Sequence, residues 1–179
     1  MKTTTLKTIF GYLASFGRKL GPLDLSRTEI EKIYNYLRIS DDIVTSGQPT
    51  EQQFDAIKAA GFKFVINLAP HSAENALPNE EATLKALGMT YIHIPVDFKA
   101  PTDADFELFT NQMKRLEGQP VWVHCAANMR VSAFIYRYRT ACLGENVEAA
   151  RQDLHAIWEP FGVWKEFVSV GQHEAENDR

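Results

Sequence analysis

Four residues, Val121 to His124 (VWVH), are too few and too apolar to be anything but a strand buried on both faces. A helical pattern from about Met129 to Cys142 starts almost at once, so the chain has to turn back within a few residues. A buried strand feeding directly into a helix demands a parallel sheet covered by helices. The rest of the sequence supplies partners for it. Asp42 to Ser46 reads as a short strand ended by Gly47-Gln48-Pro49. Thr50 caps a helix from Glu51 to Ala60, which Gly61 stops. Phe62 to Leu68 (FKFVINL) has the β-branched and aromatic content of a buried strand, and Pro70 to Asn79 reads as a polar loop. Glu80 to Leu87 is helical, Thr90 to Val96 a strand, and Thr102 with Asp105 opens a helix to Glu117. Asn146 caps a helix to about Trp158, and a last helix starts near Gly162. Ser26 with Glu29 forms a capping-box pattern for a helix to about Leu37.

This alternation predicts an α/β fold: a central, mostly parallel sheet of about four to five strands flanked by helices. The 179 residues, 45% of them apolar, suffice for one core without staples. The predicted organisation is a helical extension over 1–22, one domain over 23–172 and a frayed acidic tail over 173–179. Leu6, Ile9, Phe10, Leu13, Phe16 and Leu20 fall at helical spacing, which reads as an amphipathic helix packed on the domain or a partner. A secretion signal or surface anchor is the competing reading, because Lys2 and Lys7 precede a short apolar run. No stretch approaches the roughly 20 apolar residues of a membrane span. The formal charge of −4 and the absence of a Lys/Arg stripe speak against nucleic acid as a partner. Cys125 and Cys142, the two cysteines, flank a helix rather than form a disulfide framework, which suits a reducing, cytoplasmic setting.

In an open parallel sheet, sites form at the carboxyl ends of the strands. The rule points to Asn67–His71, to Asp97–Pro101 and above all to Cys125–Arg130. There a strand delivers a cysteine to a tight turn and a helix begins, so backbone N–H groups and the helix dipole converge on one point. The same field favours a thiolate over a thiol. Arg130, in the first helical turn, can grip two oxygens of a phosphate. A nucleophile and an anion clamp in one loop suit covalent phosphoryl transfer. Taken singly, a cysteine after a buried strand is a small core residue, and an arginine in a first turn is a solvated one. It is their combination that points to a site.

The segment Val121 to Ser132, VWVHCAANMRVS, resembles the signature of the protein tyrosine and dual-specificity phosphatases. Ile30 to Pro70 and the segment YIHIPVDFKAPTDADF resemble bacterial members in the same order. The resemblance implies a phosphotyrosine protein phosphatase II-like fold and a phosphomonoester hydrolase working through a phosphocysteine. It implies Cys125 as nucleophile, a phosphate cradle of Ala126, Ala127, Asn128, Met129 and Arg130, and His124 and Ser132 in support. Three features depart from the pattern. Four residues rather than five separate Cys125 from Arg130, the glycine common in the loop is absent, and Val131 follows the arginine. A loop of this length also occurs in rhodaneses, so a sulfurtransferase stands as one alternative. A phosphate-binding module with weak catalysis and a partner-binding protein are the others.

The leaving group needs a proton. Asp97 follows the strand YIHIPV where the mobile acid loop of the family is expected, and Asp103 and Asp105 are its rivals, better suited to a helix N-terminus. His71, Glu74 and Asn75 line the pocket or are merely solvated, and His93 is structural. His155, Trp158 and Trp164 read as core or lid packing. The histidines lack metal-site spacing, and this chemistry requires neither metal nor cofactor. The expected partner is a phosphorylated substrate, protein or small molecule.

Overall fold

The computed structural model describes residues 28–170; the N-terminal extension and acidic tail lie outside the described residues. Five strands form one sheet: β1 (Leu37–Arg38), β2 (Ile43–Ser46), β3 (Phe64–Asn67), β4 (Thr90–His93) and β5 (Val121–His124), in the order β1-β2-β5-β3-β4. Only the β1–β2 pair is antiparallel. The helices are α1 (Glu51–Ala59), α2 (Glu80–Ala86), α3 (Asp103–Arg115), α4 (Met129–Arg137), α5 (Val147–Ile157) and α6 (Val163–Ser169).

β5 lies in the middle and is buried along its whole length. Its side chains alternate between two cores. Val121 and Val123 join Ile66 against α3, α4, α5 and α6, whereas Trp122 joins Val65, Phe54, Ile57 and Leu84 on the α1 and α2 side. The Trp122 indole meets Tyr36 and Phe62 and donates to Ser46 Oγ at 2.9 Å, so its one polar group is satisfied. Register then does the positioning. Ser46, His124, Asn67 and His93 stand in one row across β2, β5, β3 and β4, at the carboxyl ends of the parallel strands.

The capping boxes at Thr50 and Thr102 form as read from sequence, and Asn146 accepts from Ala149 N. Three expectations need correction. The helix to Leu37 does not form: residues 28–36 run as turns, and Glu31 folds back onto Thr28 at 2.7 Å. Asn35 takes a left-handed φ of 53°, which ends any helical run and turns the chain into β1. The strand from Thr90 is regular only to His93, because Pro95 lacks the N–H a ladder needs. Helix α4 stops at Arg137 and passes into a π turn, Tyr138–Cys142. Buried Arg139 is held there by Glu145 at 2.7 Å and Asp153 at 2.5 Å.

Every residue of α4 from Val131 to Arg137 is buried, so this helix is the keel of the larger core. Phe134 sits at its centre, with ring centroids of Phe167 at 4.8 Å, Phe109 at 5.6 Å and Phe106 at 6.0 Å. Phe134→Ala should lower the free energy of unfolding by about 3–5 kcal/mol in urea titrations. Leu108→Ala, at a residue 56% exposed, should change it by less than about 0.5 kcal/mol.

Candidate active site

The loop between β5 and α4 is fastened from outside through its carbonyls. Ala126 O accepts from Gln48 N at 3.3 Å and from Asn75 Nδ2 at 2.9 Å. Ala127 O accepts from Asn35 Nδ2 at 2.8 Å. With the carbonyls turned to these donors, the peptide N–H groups of the turn face the other way. Those of Met129 and Arg130 lie in the first turn of α4, where no intrahelical acceptor exists. Cys125 is fully buried at the foot of this turn.

Asn128 performs the turn that a glycine would otherwise make. Its φ is 63°, in the left-handed region, and its side chain is wholly buried. Nδ2 donates to Asn35 O at 2.7 Å and to Thr45 Oγ1 at 2.9 Å. Asn128 thus holds the Asn35 carbonyl, while the Asn35 side chain holds the carbonyl of neighbouring Ala127. Gly47 lets the loop approach, since a Cβ there would stand 2.9 Å from Tyr34 Cδ1 and 3.1 Å from Ala126 O.

Arg130 is partly exposed, with its guanidinium carbon 5.3 Å from the Phe98 ring centroid. Its Nε is buried and has no acceptor among the described residues. Phe98 also meets Trp158 at 5.8 Å and Trp164 at 5.3 Å, and Trp164 Nε1 donates to Phe98 O at 2.8 Å. The expectation that Trp158 and Trp164 pack a lid or core therefore describes what they do. Next to Phe98, Asp97 is exposed, and its Oδ1 accepts from Lys99 N at 2.8 Å. Its rivals are engaged elsewhere. Asp103 pairs with Arg137 at 2.7 Å, and Asp105 closes the capping box with Thr102.

Ser132 is engaged by its own helix and by Trp158. Its hydroxyl donates to Met129 O at 3.1 Å and accepts from Trp158 Nε1 at 3.1 Å, so its support of the loop is indirect. His124 is fully buried, with Nε2 2.7 Å from Glu80 Oε1. Glu80 Oε2 accepts from Gln48 Nε2 at 3.1 Å and Asn67 Nδ2 at 3.2 Å. Asn67 Nδ2 also donates to Tyr91 OH at 3.2 Å. Burial, then the charge of Glu80, pushes the Tyr91 phenol up to about 12. His71 stacks on His93 at 4.0 Å, and His93 Nε2 donates to Ala69 O at 2.7 Å, the structural role read for it. Glu74 is exposed, whereas Asn75 holds the loop. Cys142 is exposed on the π turn.

Asn35, Thr45 and Glu80 were not legible as site residues, whereas Asn67 opens the strand-end stretch Asn67–His71 to which the carboxyl-end rule points. Glu80 reads as an ordinary acid at a helix start, and no local pattern marks Asn35 or Thr45. The asparagine in place of the loop glycine was the one usable signal, because asparagine tolerates the left-handed region.

Asn128→Ala should destabilise the protein by about 2–4 kcal/mol, from left-handed strain plus stranded buried partners. Asn128→Gly should cost about 1 kcal/mol less, since it relieves only the strain. Chemical denaturation of both variants checks the order; a glycine variant as unstable as the alanine one would mean that the conformation carries no strain.

The arrangement has relatives. Residues 32–167 match the family described as DSP-PTPase phosphatase fused to NAD+ kinase. A DUF442 protein of Shewanella putrefaciens CN-32 superposes with a TM-score of 0.73 at 32% identity, over 82% of this chain and 96% of that one. TpbA of P. aeruginosa, in complex with pTyr, has a TM-score of 0.66 over 84% of this chain and 91% of its own; at 17% identity that likeness is one of fold. The β-lactamase hydrolase-like protein of Agrobacterium fabrum (strain C58) is 36% identical over 97 residues, or 52% of this chain. This chain spans only 22% of that relative's length.

Proposed function

The chain belongs to the DSP-PTPase phosphatase family matched over residues 32–167, and on that premise we propose that it hydrolyses a phosphomonoester with Cys125, Arg130 and Asp97. The observation that carries the assignment of residues is the Cys125–Arg130 loop. Its carbonyls are tied outward, and the buried Nε of Arg130 lacks an acceptor. Buried donors are nearly always paired, so an unpaired guanidinium nitrogen beside a nucleophile calls for an oxyanion.

The steps balance without an external reagent. The Cys125 thiolate attacks phosphorus, an S–P bond forms and the P–O bond to the leaving group breaks. Asp97 gives its proton to the departing oxygen. Water then attacks the thiophosphate, its proton passes to the Asp97 carboxylate, and inorganic phosphate leaves with the thiolate restored. Arg130 and the amides of residues 126 to 130 hold the equatorial oxygens, whose charge is greatest in the transition state. The family match favours this reading over the sulfurtransferase and the inert phosphate-binding module. Asp97 is favoured over its rivals because Asp103 pairs with Arg137 of α4 and Asp105 closes the capping box of α3.

Arg130→Lys keeps the charge but loses the two-pronged grip. Turnover of p-nitrophenyl phosphate should fall by roughly tenfold or more. Unchanged turnover would remove Arg130 from the cradle.

Asp97→Asn keeps shape and removes the acidic proton. It should slow alkyl phosphates by roughly 10²-fold and activated aryl phosphates much less, because an alkoxide needs protonation and a nitrophenolate does not. Asp103→Asn and Asp105→Asn should show no such leaving-group dependence. If Asp103→Asn shows it instead, the acid is one helix-start residue later.

A further inference from the structure

Glu80 is the most deeply buried acid of the described residues, 3% exposed, and the mechanism above does not use it. It stands at the start of α2, yet its carboxylate points to the sheet rather than to solvent. Three elements send donors to it: Gln48 after β2, Asn67 at the end of β3 and His124 at the end of β5. Two amide N–H groups on Oε2 suit the ionised carboxylate. Oε1 lies 2.7 Å from His124 Nε2, though off the ideal N–H line, and two lone pairs would repel at that distance. A proton placed on Nε2 relieves that contact. His124 Nδ1 is buried, has no partner and faces no second acceptor. A proton added there makes a buried cation whose one contacting counter-charge is Glu80. His124 immediately precedes Cys125 in the chain, so the ring belongs to the residue adjoining the one that carries the sulfur.

We propose that Glu80 is a positioning residue of the phosphatase site, fixing the orientation and tautomer of His124 and, through that ring, sustaining the thiolate of Cys125. The inference rests on the reading of Cys125 as nucleophile. Other charged or titratable groups near the pair do not substitute for Glu80. Tyr91, from β4, stays a phenol up to about 12. His93 stacks on Tyr91 at 5.9 Å, and His71 stacks on His93 at 4.0 Å. Glu81 is exposed on α2, and Arg130 faces Phe98 from α4. Phe54, the aromatic neighbour of His124 on α1, carries no charge.

The sign follows. Without the carboxylate, a positive charge on the ring has no counter-charge in contact, so the neighbouring thiolate is supported less. In Glu80→Gln, the 240 nm thiolate absorbance at pH 6, read against the same protein carrying Cys125→Ser, should fall severalfold, by up to about tenfold for one proton-affinity unit. The acid limb of kcat/KM for p-nitrophenyl phosphate should move to higher pH with KM nearly unchanged. Glu80→Asp, which keeps the charge, should restore part of both. A folded Glu80→Gln protein with unchanged absorbance and acid limb overturns the proposal. Should that variant fail to fold, the wild-type imidazole 15N spectrum decides: a proton on Nε2 of His124 supports the proposal and a proton confined to Nδ1 overturns it. A shifted thiolate signal in a protein without turnover leaves this inference standing and sinks the phosphatase reading instead.

Discussion

A central strand with no exposed side chain, Val121 to His124, governs the geometry of everything around it. Because β2 and β3 pair with it in parallel register, their carboxyl ends arrive at the same level, and Ser46, His124 and Asn67 share one row. The chain leaves that row facing solvent and must re-enter the core as α4 after four residues. Such a tight return leaves little freedom for the peptide planes. The side chains of Asn35, Asn75 and Asn128 decide it, taking the carbonyls or fixing the turn. The orientation of the turn's amides is therefore a by-product of satisfying backbone groups on the outside of the turn.

Two polar networks sustain the loop from opposite sides. The Asn35–Asn128–Thr45 clasp sets the backbone path, and the Glu80–His124–Asn67 cluster joins the ends of β3 and β5 at the residue before Cys125. Both are buried, so each partner left alone would be costly. The departures from the common phosphatase loop become intelligible on this footing. A loop shorter by one residue still turns, because Asn128 adopts the left-handed conformation and gains two hydrogen bonds that glycine lacks.

The strands β2, β3 and β5, the helix capping boxes and the Cys125–Arg130 loop were legible because each rests on local periodicity or capping chemistry. The run after Ser26 was misread, since Glu29 and Glu31 give helix-start signals while Asn35 overrides them through a contact 92 residues away with Ala127. The π turn at Tyr138 escaped for a similar reason: Arg139 is drawn by Glu145 and Asp153, which follow it in the chain. Residues whose roles depend on distant partners, Glu80 most of all, leave no trace in their immediate neighbours. Ser132 shows the converse, as a motif position whose hydroxyl is claimed by Trp158 from α5's end.

The indole of Trp164 holds the carbonyl of Phe98, and Phe98 in turn lies against Arg130. The Asp97–Phe98 segment and the Arg130 side chain are thus propped from the last helix, although that helix contributes no strand to the sheet. The smallest piece of chain able to keep an intact site is set by this prop rather than by the strands. A fragment cut after α5 would keep the residues of the sheet, the loop and its cysteine, and yet lose the indole that holds Phe98.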